Sequence, residues 1–212
     1  MEFWKTHMPK GMFLRSGIDW HLDPLNVYTI EKYIEEIGTQ NAEPLSLDLY
    51  LDYAEWFRVQ RAIMPVELFI NKLDFDNDVF IAALDNGDTI KARNVVLALG
   101  FQYFKNVPEK LSQIFPDDKI SHTCDLADFS RLKGKTVAII GGRQSAFEWA
   151  ALLSENGAKE VHVVHRHETP SFEQSDWSWV KSLADKTMED PSWFRSLPED
   201  QKHYLVSRFY SE

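Results

Sequence analysis

Several absences narrow this chain before anything present in it is considered. It holds one cysteine, Cys124, in 212 residues, which excludes an internal disulfide framework and suits a reducing compartment. No apolar run approaches the roughly 20 residues needed to span a bilayer. The N-terminus has no basic stretch followed by an apolar one, so it does not read as a secretory signal. Basic residues are in deficit: 23 Lys and Arg against 33 Asp and Glu give a formal net charge of −10. That balance argues against nonspecific adhesion to nucleic acid or to an anionic membrane. No glycine turn of the G-x-G-x-x-G kind precedes residue 136, and there is no internal repeat or low-complexity segment. The remaining expectation is a cytoplasmic globular protein of one large or two small domains.

The chain has ample apolar material. Hydrophobic residues make up 44% of it, with seven Trp and fourteen Phe, enough for a real core and inconsistent with wholesale disorder. The most informative stretch is Thr136-Val137-Ala138-Ile139-Ile140-Gly141-Gly142-Arg143-Gln144-Ser145-Ala146-Phe147-Glu148. An apolar β-branched run, a glycine pair and a helix-forming run follow one another, as in a strand-turn-helix that presents backbone N–H groups to a pyrophosphate. Set against the full G-x-G-x-x-G/A, Gly141 holds the first position and Ala146 the last. Arg143 stands where the second glycine belongs, a position that normally lacks a side chain so that phosphates can reach the backbone. Two readings stay open for Gly141, Gly142, Arg143, Gln144, Ser145 and Ala146. They form a dinucleotide loop, or the glycines merely punctuate a βα turn. Arg143 either crowds the pyrophosphate or swings outward to pair with a phosphate as a planar fork.

The neighbouring pattern favours the loop. Thr136–Ile140 reads as a strand, 144–156 as a helix closed by Gly157, and 161–165 as the next strand, a β-α-β unit of the expected length. Units specific for NAD place a carboxylate after the second strand, to bond the ribose 2′-hydroxyl. This chain has His165-Arg166-His167 there instead, with Glu168 too late. A cation at Arg166 favours the 2′-phosphate of NADP(H), and the alternative is ordinary solvated charge at a strand end.

Upstream, residues 1–26 read as loop with at most one short strand. Residues 28–38 read as a helix ending at Gly38, and Ser46 caps a second helix with Asp48 and Asp52 in its early turns. From residue 66 the period changes to two. Residues 66–73, Val79–Leu84 and Thr89–Ala92 read as a β-meander, with Asn86-Gly87 in the last turn. Residues 94–100, a continuous apolar run ending in glycine, read as a strand buried on both faces. Residues 101–134 read as a connector. The aromatics after Pro170, among them Trp177, Trp179, Trp193, Phe194 and Tyr204, sit on two helices and read as packing rather than as a substrate pocket. His7, His21, His122 and Cys124 have no zinc-like spacing. Cys124 reads as a small semi-buried residue, since nothing adjacent marks a lowered pKa.

Three segments come in a telling order: Gly11-Met12-Phe13-Leu14-Arg15-Ser16, the meander ending in Val95-Val96-Leu97-Ala98-Leu99-Gly100, and Gly141-Gly142-Arg143-Gln144-Ser145-Ala146. In this the chain resembles FAD/NAD(P)-dependent oxidoreductases of the flavin-containing monooxygenase and lysine/ornithine N-monooxygenase-like branch. The resemblance implies an α/β fold of two dinucleotide-binding domains. Residues 1–104 would be a partial FAD-type domain, 105–134 a connector, and 135–212 a truncated Rossmann-like NAD(P) unit with an aromatic helical tail. It also implies that Arg15, Ser16, Leu99 and Gly100 lie near FAD, and that Gly141, Ser145 and Ala146 face the NADP pyrophosphate with Arg166 at the adenosine ribose. NADPH would then pass a hydride to the flavin, which reduces an acceptor or activates oxygen; no acid–base residue is implied. The family's opening G-x-G-x-x-G and its C-terminal strands have no counterpart here. Autonomous FAD binding is therefore expected to be weak or absent, and truncated sheets favour a homo-oligomer or a partner chain. A non-catalytic nucleotide-binding module and a split-enzyme or interaction subunit are the alternative functions.

Overall fold

The computed structural model describes residues 2–40, 43–125, 128–169 and 178–211. It is an α/β protein in two units: residues 1–8 with 55–127, and residues 9–54 with 128–212.

The first unit opens with helix α1 (Glu2–Thr6), where the sequence suggested loop. The His7 N–H donates to the Phe3 carbonyl at 2.8 Å and the two rings stack at 5.0 Å, which closes the turn locally. The meander forms as an antiparallel sheet in the order β1 (Ile70–Asp76), β2 (Val79–Leu84), β3 (Thr89–Ala92). Strand β1 starts four residues later than the apolar pattern suggests, because its partner sets its length. Ile70 pairs with Leu84, the last residue of β2. At its other end Asn77 (φ +49°) and Asp78 (φ +61°) make the two-residue turn. Short polar side chains tolerate this left-handed backbone, and the twist of such a turn matches that of the strands. In the second hairpin Gly87 supplies the positive φ (+89°), and Asn86 Oδ1 accepts the Asp88 N–H at 3.0 Å.

The run 94–100 is the main departure from the sequence reading. It forms no strand, and Val96 (87%), Leu97 (70%) and Leu99 (60%) are exposed. A strand of this apolar kind needs ladder partners along its edges and layers on both faces. Among the described residues neither sheet supplies it a neighbour. The connector that follows carries helix α4 (Glu109–Ser112) among short 3₁₀ turns. In this unit the buried apolar residues are Ala82 and Leu84.

The second unit holds most of the core. Helix α2 (Ile30–Ile37) is capped by Thr29, whose hydroxyl accepts the Lys32 N–H, and it ends at Gly38 with φ +67°. Helix α3 (Leu47–Gln60) begins as expected at Ser46, whose Oγ accepts the Leu49 N–H at 3.2 Å, and its last residues belong to the first unit. Ile30, Ile34, Leu45, Leu47 and Ala54 are buried around Tyr53. The Tyr53 hydroxyl accepts the Leu22 N–H at 2.9 Å and donates to the Tyr28 carbonyl at 2.8 Å. Asp23, also fully buried, accepts the N–H groups of Leu25, Val27 and Tyr28. Helix α3 thus organises an irregular loop whose backbone groups would otherwise be buried without partners. The parallel pair β4 (Thr136–Ile140) and β5 (Glu160–Val164) is linked by α5 (Gln144–Glu155). Among the described residues three helices, not two, follow: α6 (Ser178–Glu189), α7 (Trp193–Ser196) and α8 (Glu199–Ser211). Ser192 and Pro198 divide the aromatic tail more finely than its periodicity suggested.

Removing the Tyr53 hydroxyl takes a hydrogen-bond partner from the part-buried Leu22 N–H and Tyr28 carbonyl. Tyr53→Phe should cost about 1–3 kcal/mol of stability, read from the urea midpoint at unchanged slope; a loss under about 0.3 kcal/mol would contradict this role.

Candidate nucleotide-binding site

Strands β4 and β5 run parallel in unbroken register, from Thr136 opposite Glu160 to Ile140 opposite Val164. Parallel neighbours need a crossover, and α5 is that crossover. Its Ala146, Leu152 and Leu153 are buried, matched by the half-buried Val137, Ile139, Val161 and Val163 on one sheet face. Trp149 extends the packing edge-on to Phe129 at 5.2 Å. On the opposite face Ile140 and Val164 remain more than half exposed. At its far end α5 closes on Asn156 and on Gly157 (φ +86°), and the Gly134 N–H donates to the Gly157 carbonyl at 2.7 Å.

The turn between β4 and α5 carries the glycine pair. The Gly141 N–H donates to the Val164 carbonyl at 3.0 Å, one rung beyond the strand pairs, and Gly141 has φ +156°. Arg143 occupies the N-cap in extended conformation without a side-chain cap bond to the helix, and the Ala146 N–H bonds back to the Arg143 carbonyl at 2.9 Å. Arg143, Gln144 and Ser145 are exposed, and the first turn contains no acidic residue. The positive end of the α5 dipole and first-turn N–H groups therefore face solvent, which is the geometry that accepts an anion. Glu148, one turn further on, is half-buried, and burial pushes its carboxyl above the ordinary range.

Gly142 has a different reason to be glycine. It is buried, and a Cβ there would stand 2.4 Å from the His165 Cβ and 2.6 Å from His167 Nε2. The residues after β5 are thus pressed onto the loop. The His165 Nδ1–H donates to the His167 carbonyl at 2.7 Å, and the His167 Nδ1–H to the Glu168 carbonyl at 2.6 Å. Carbonyl partners require the proton on Nδ1 in both rings. Arg166 lies between them and is exposed, as is Glu168. Sequence reasoning missed this contact. Its available signal was a glycine at position 142, where the fingerprint asks for none.

The residues matched to flavin by resemblance fall in separate units. Arg15 and Ser16 are half-buried in the second, on a loop held by the Leu14 N–H to the Leu45 carbonyl (2.7 Å) and the Leu47 N–H to the Met12 carbonyl (2.9 Å). Leu99 and Gly100 belong to the first, on the unpaired run, with Gly100 at φ +65°. His122 Nδ1 accepts the Cys124 N–H at 3.1 Å in a turn closed by Asp125. Burial works to raise the Asp125 carboxyl, but hydrogen bonds from Lys105 and the His122 N–H outweigh it and hold the group below its usual range. In the tail, Trp193 Nε1–H donates to Thr187 Oγ1 at 2.6 Å, and the Arg208 guanidinium lies 4.1 Å from the Trp179 ring centroid. Trp177 lies outside the described residues.

The family model for pyridine nucleotide-disulphide oxidoreductases matches residues 13–192. The thioredoxin reductase of Mycoplasma genitalium is 40% identical over 109 residues, which is 50% of this chain and 34% of that protein. The FAD-dependent urate hydroxylase of Xanthomonas campestris is 26% identical over 168 residues, 76% of this chain and 34% of that one. The chain spans about a third of the length of these relatives. Among solved structures, a mutant of the flavin monooxygenase of Stenotrophomonas maltophilia superposes with a TM-score of 0.64 at 18% identity, covering 89% of this chain and 53% of that one. The flavin-containing monooxygenase of the same organism gives 0.61, also at 18% identity, over 81% and 48%. At this identity the two likenesses show a shared α/β fold.

Two outcomes follow from the geometry of the loop and helix. Gly142→Ala should cost about 1–3 kcal/mol by overpacking, seen as a lower urea midpoint; unchanged stability would show that the histidines are not seated there. Glu148→Gln tests the buried carboxyl. Its raised pKa means the favourable contribution is complete below the ordinary carboxylate range and is lost as pH rises through the raised value. The Gln variant should therefore be more stable than wild type at pH 7, by under about 1 kcal/mol given the half-exposure. The gain should vanish near pH 4; a gain that persists there would contradict the assignment.

Proposed function

Because the chain belongs to the pyridine nucleotide-disulphide oxidoreductase family, we propose that it is the nicotinamide-nucleotide-binding portion of a flavin-dependent, monooxygenase-like oxidoreductase that uses NADPH. The observation that carries the reading is the joining of two features in one packed site. The exposed N-terminus of α5 follows the glycine turn, and Arg166 of the β5 exit turn stands between two histidines packed on Gly142. Backbone N–H groups of Gln144 and Ser145 would meet the pyrophosphate, with Gly141 giving the turn its backbone and Ala146 the close helix packing. In this reading Arg143, at the N-cap and exposed, would pair with a phosphate rather than crowd it. Arg166 supplies the charge that a 2′-phosphate requires.

When bound, the nicotinamide supplies a hydride and the flavin accepts it. This chain's own part is to hold and orient the nucleotide. Residues 135–212 form the nucleotide unit in this reading, 105–134 the connector, and 1–104 the partial flavin-type domain. FAD is assigned to Arg15, Ser16, Leu99 and Gly100 by resemblance alone. Two of the four stand on a run without ladder partners among the described residues, so this chain by itself should bind FAD weakly or not at all. The single cysteine and the acidic balance suit a cytoplasmic setting, and no helix among the described residues is long and apolar enough to cross a membrane.

A second reading, a split-enzyme or interaction subunit, rests on the exposed apolar residues Val96, Leu97 and Leu99. A partner chain or a second copy of this one would cover them. A strictly monomeric species in sedimentation at high concentration would count against it.

Calorimetric titration tests the first reading. NADPH should bind more tightly than NADH, by about tenfold or more for a charge-assisted contact. Arg166→Glu should abolish that preference. No heat with either nucleotide would contradict the proposal, as would an Arg166→Glu chain that still prefers NADPH.

A further inference from the structure

The histidines on either side of Arg166 have no part in the binding scheme above. His165 meets Gly142 so closely that a Cβ on the glycine would lie 2.7 Å from the imidazole Cγ as well as 2.4 Å from the Cβ. The ring stands edge-on to Phe147 of α5, centroids 5.8 Å apart, and against His167 at 4.9 Å. From that seat its Nδ1–H reaches the His167 carbonyl at 2.7 Å. The hydrogen bond closes a small loop that contains Arg166. On one side of Arg166 the backbone is held by the strand ladder, through the Gly141 N–H on the Val164 carbonyl. On the other side it is held by His165.

The geometry points to His165 as a positioning residue. Seated on Gly142 and bonded to the His167 carbonyl, it fixes the backbone from which Arg166 projects relative to the phosphate-binding loop, and so sets the preference for a 2′-phosphorylated nucleotide. The inference rests on the nucleotide reading above. Its physical basis is preorganisation. An arginine on a free strand end must give up backbone and rotamer freedom to hold a phosphate, whereas one on a tethered turn has already lost the backbone part. The glycine pair then divides its work. Gly141 supplies the loop's backbone, and Gly142 supplies the clearance that admits His165.

The test uses the full chain and calorimetric affinities for NADPH and NADH. His165→Leu keeps apolar volume against Gly142 and Phe147 but has no N–H to donate. It should cut the NADPH-over-NADH preference by about tenfold, with NADH affinity held within about twofold. His165→Asn, whose amide N–H can reach the same carbonyl, should keep most of the preference. In an Arg166→Ala background, His165→Leu should change the preference no further, since its effect passes through Arg166. His165→Ala serves as a second donor-less variant should the Leu form fail to fold. Equal weakening of both nucleotides would mark a merely structural role and overturn the inference. So would a full preference in the donor-less variants, loss of preference in His165→Asn, or an undiminished effect in the Arg166→Ala background. Wild type without any preference would overturn the NADPH reading and this inference together, and it is recognised before any variant is made.

Discussion

The hydrogen bond from the Gly141 N–H to the Val164 carbonyl, 3.0 Å, continues the parallel ladder past the end of both strands. It brings the glycine turn and the β5 exit to one level, and the site is built from that coincidence. Because Ile140 and Val164 end side by side, the N-terminus of α5 opens over the same edge at which Arg166 emerges. Anion recognition by a helix end is nonspecific in itself. The adjoining strand end is what can turn a phosphate site into a site for one particular nucleotide. The close packing of His165 and His167 on Gly142 couples the two parts sterically, so a change in either is felt by the other.

The first unit shows how differently a hairpin and a lone apolar run behave. A parallel strand is stable only between neighbours and beneath covering layers. Residues 94–100 have the composition of such a strand, but among the described residues they pair with neither sheet, and Val96, Leu97 and Leu99 are exposed. The antiparallel meander beside them in sequence forms regardless, because hairpins carry their own partners and turns. Local pairing therefore forms in the first unit, where Ala82 and Leu84 are the buried apolar residues among those described. The chain covers about half of each of the two solved proteins that share the fold.

This contrast also explains what could be read from the sequence. Elements whose determinants are local were legible: the Ser46 cap, the Gly38 and Gly157 stops, the Asn86-Gly87 turn, and the strand-turn-helix at 136–148. The start of β1 was not, because the length of β2 limits it and not its own apolar pattern. The fate of residues 94–100 depended on a neighbour the pattern presupposes but does not contain. Within the candidate site, the strand-turn-helix followed from residue order alone. The seating of His165 on Gly142 joins positions 23 apart in sequence through tertiary packing. Only an unrequired glycine hinted at it.

The central claim is that one packed edge, the loop at 141–146 with the exit of β5, receives the nicotinamide nucleotide. Backbone amide chemical shifts followed by NMR as NADPH is added test it most directly. The account requires that Gly142, Gln144, Ser145 and Arg166 shift together along one saturable curve, while residues of the β1–β3 meander stay in place. Shifts confined to the meander, or an unperturbed loop at saturating NADPH, would contradict it.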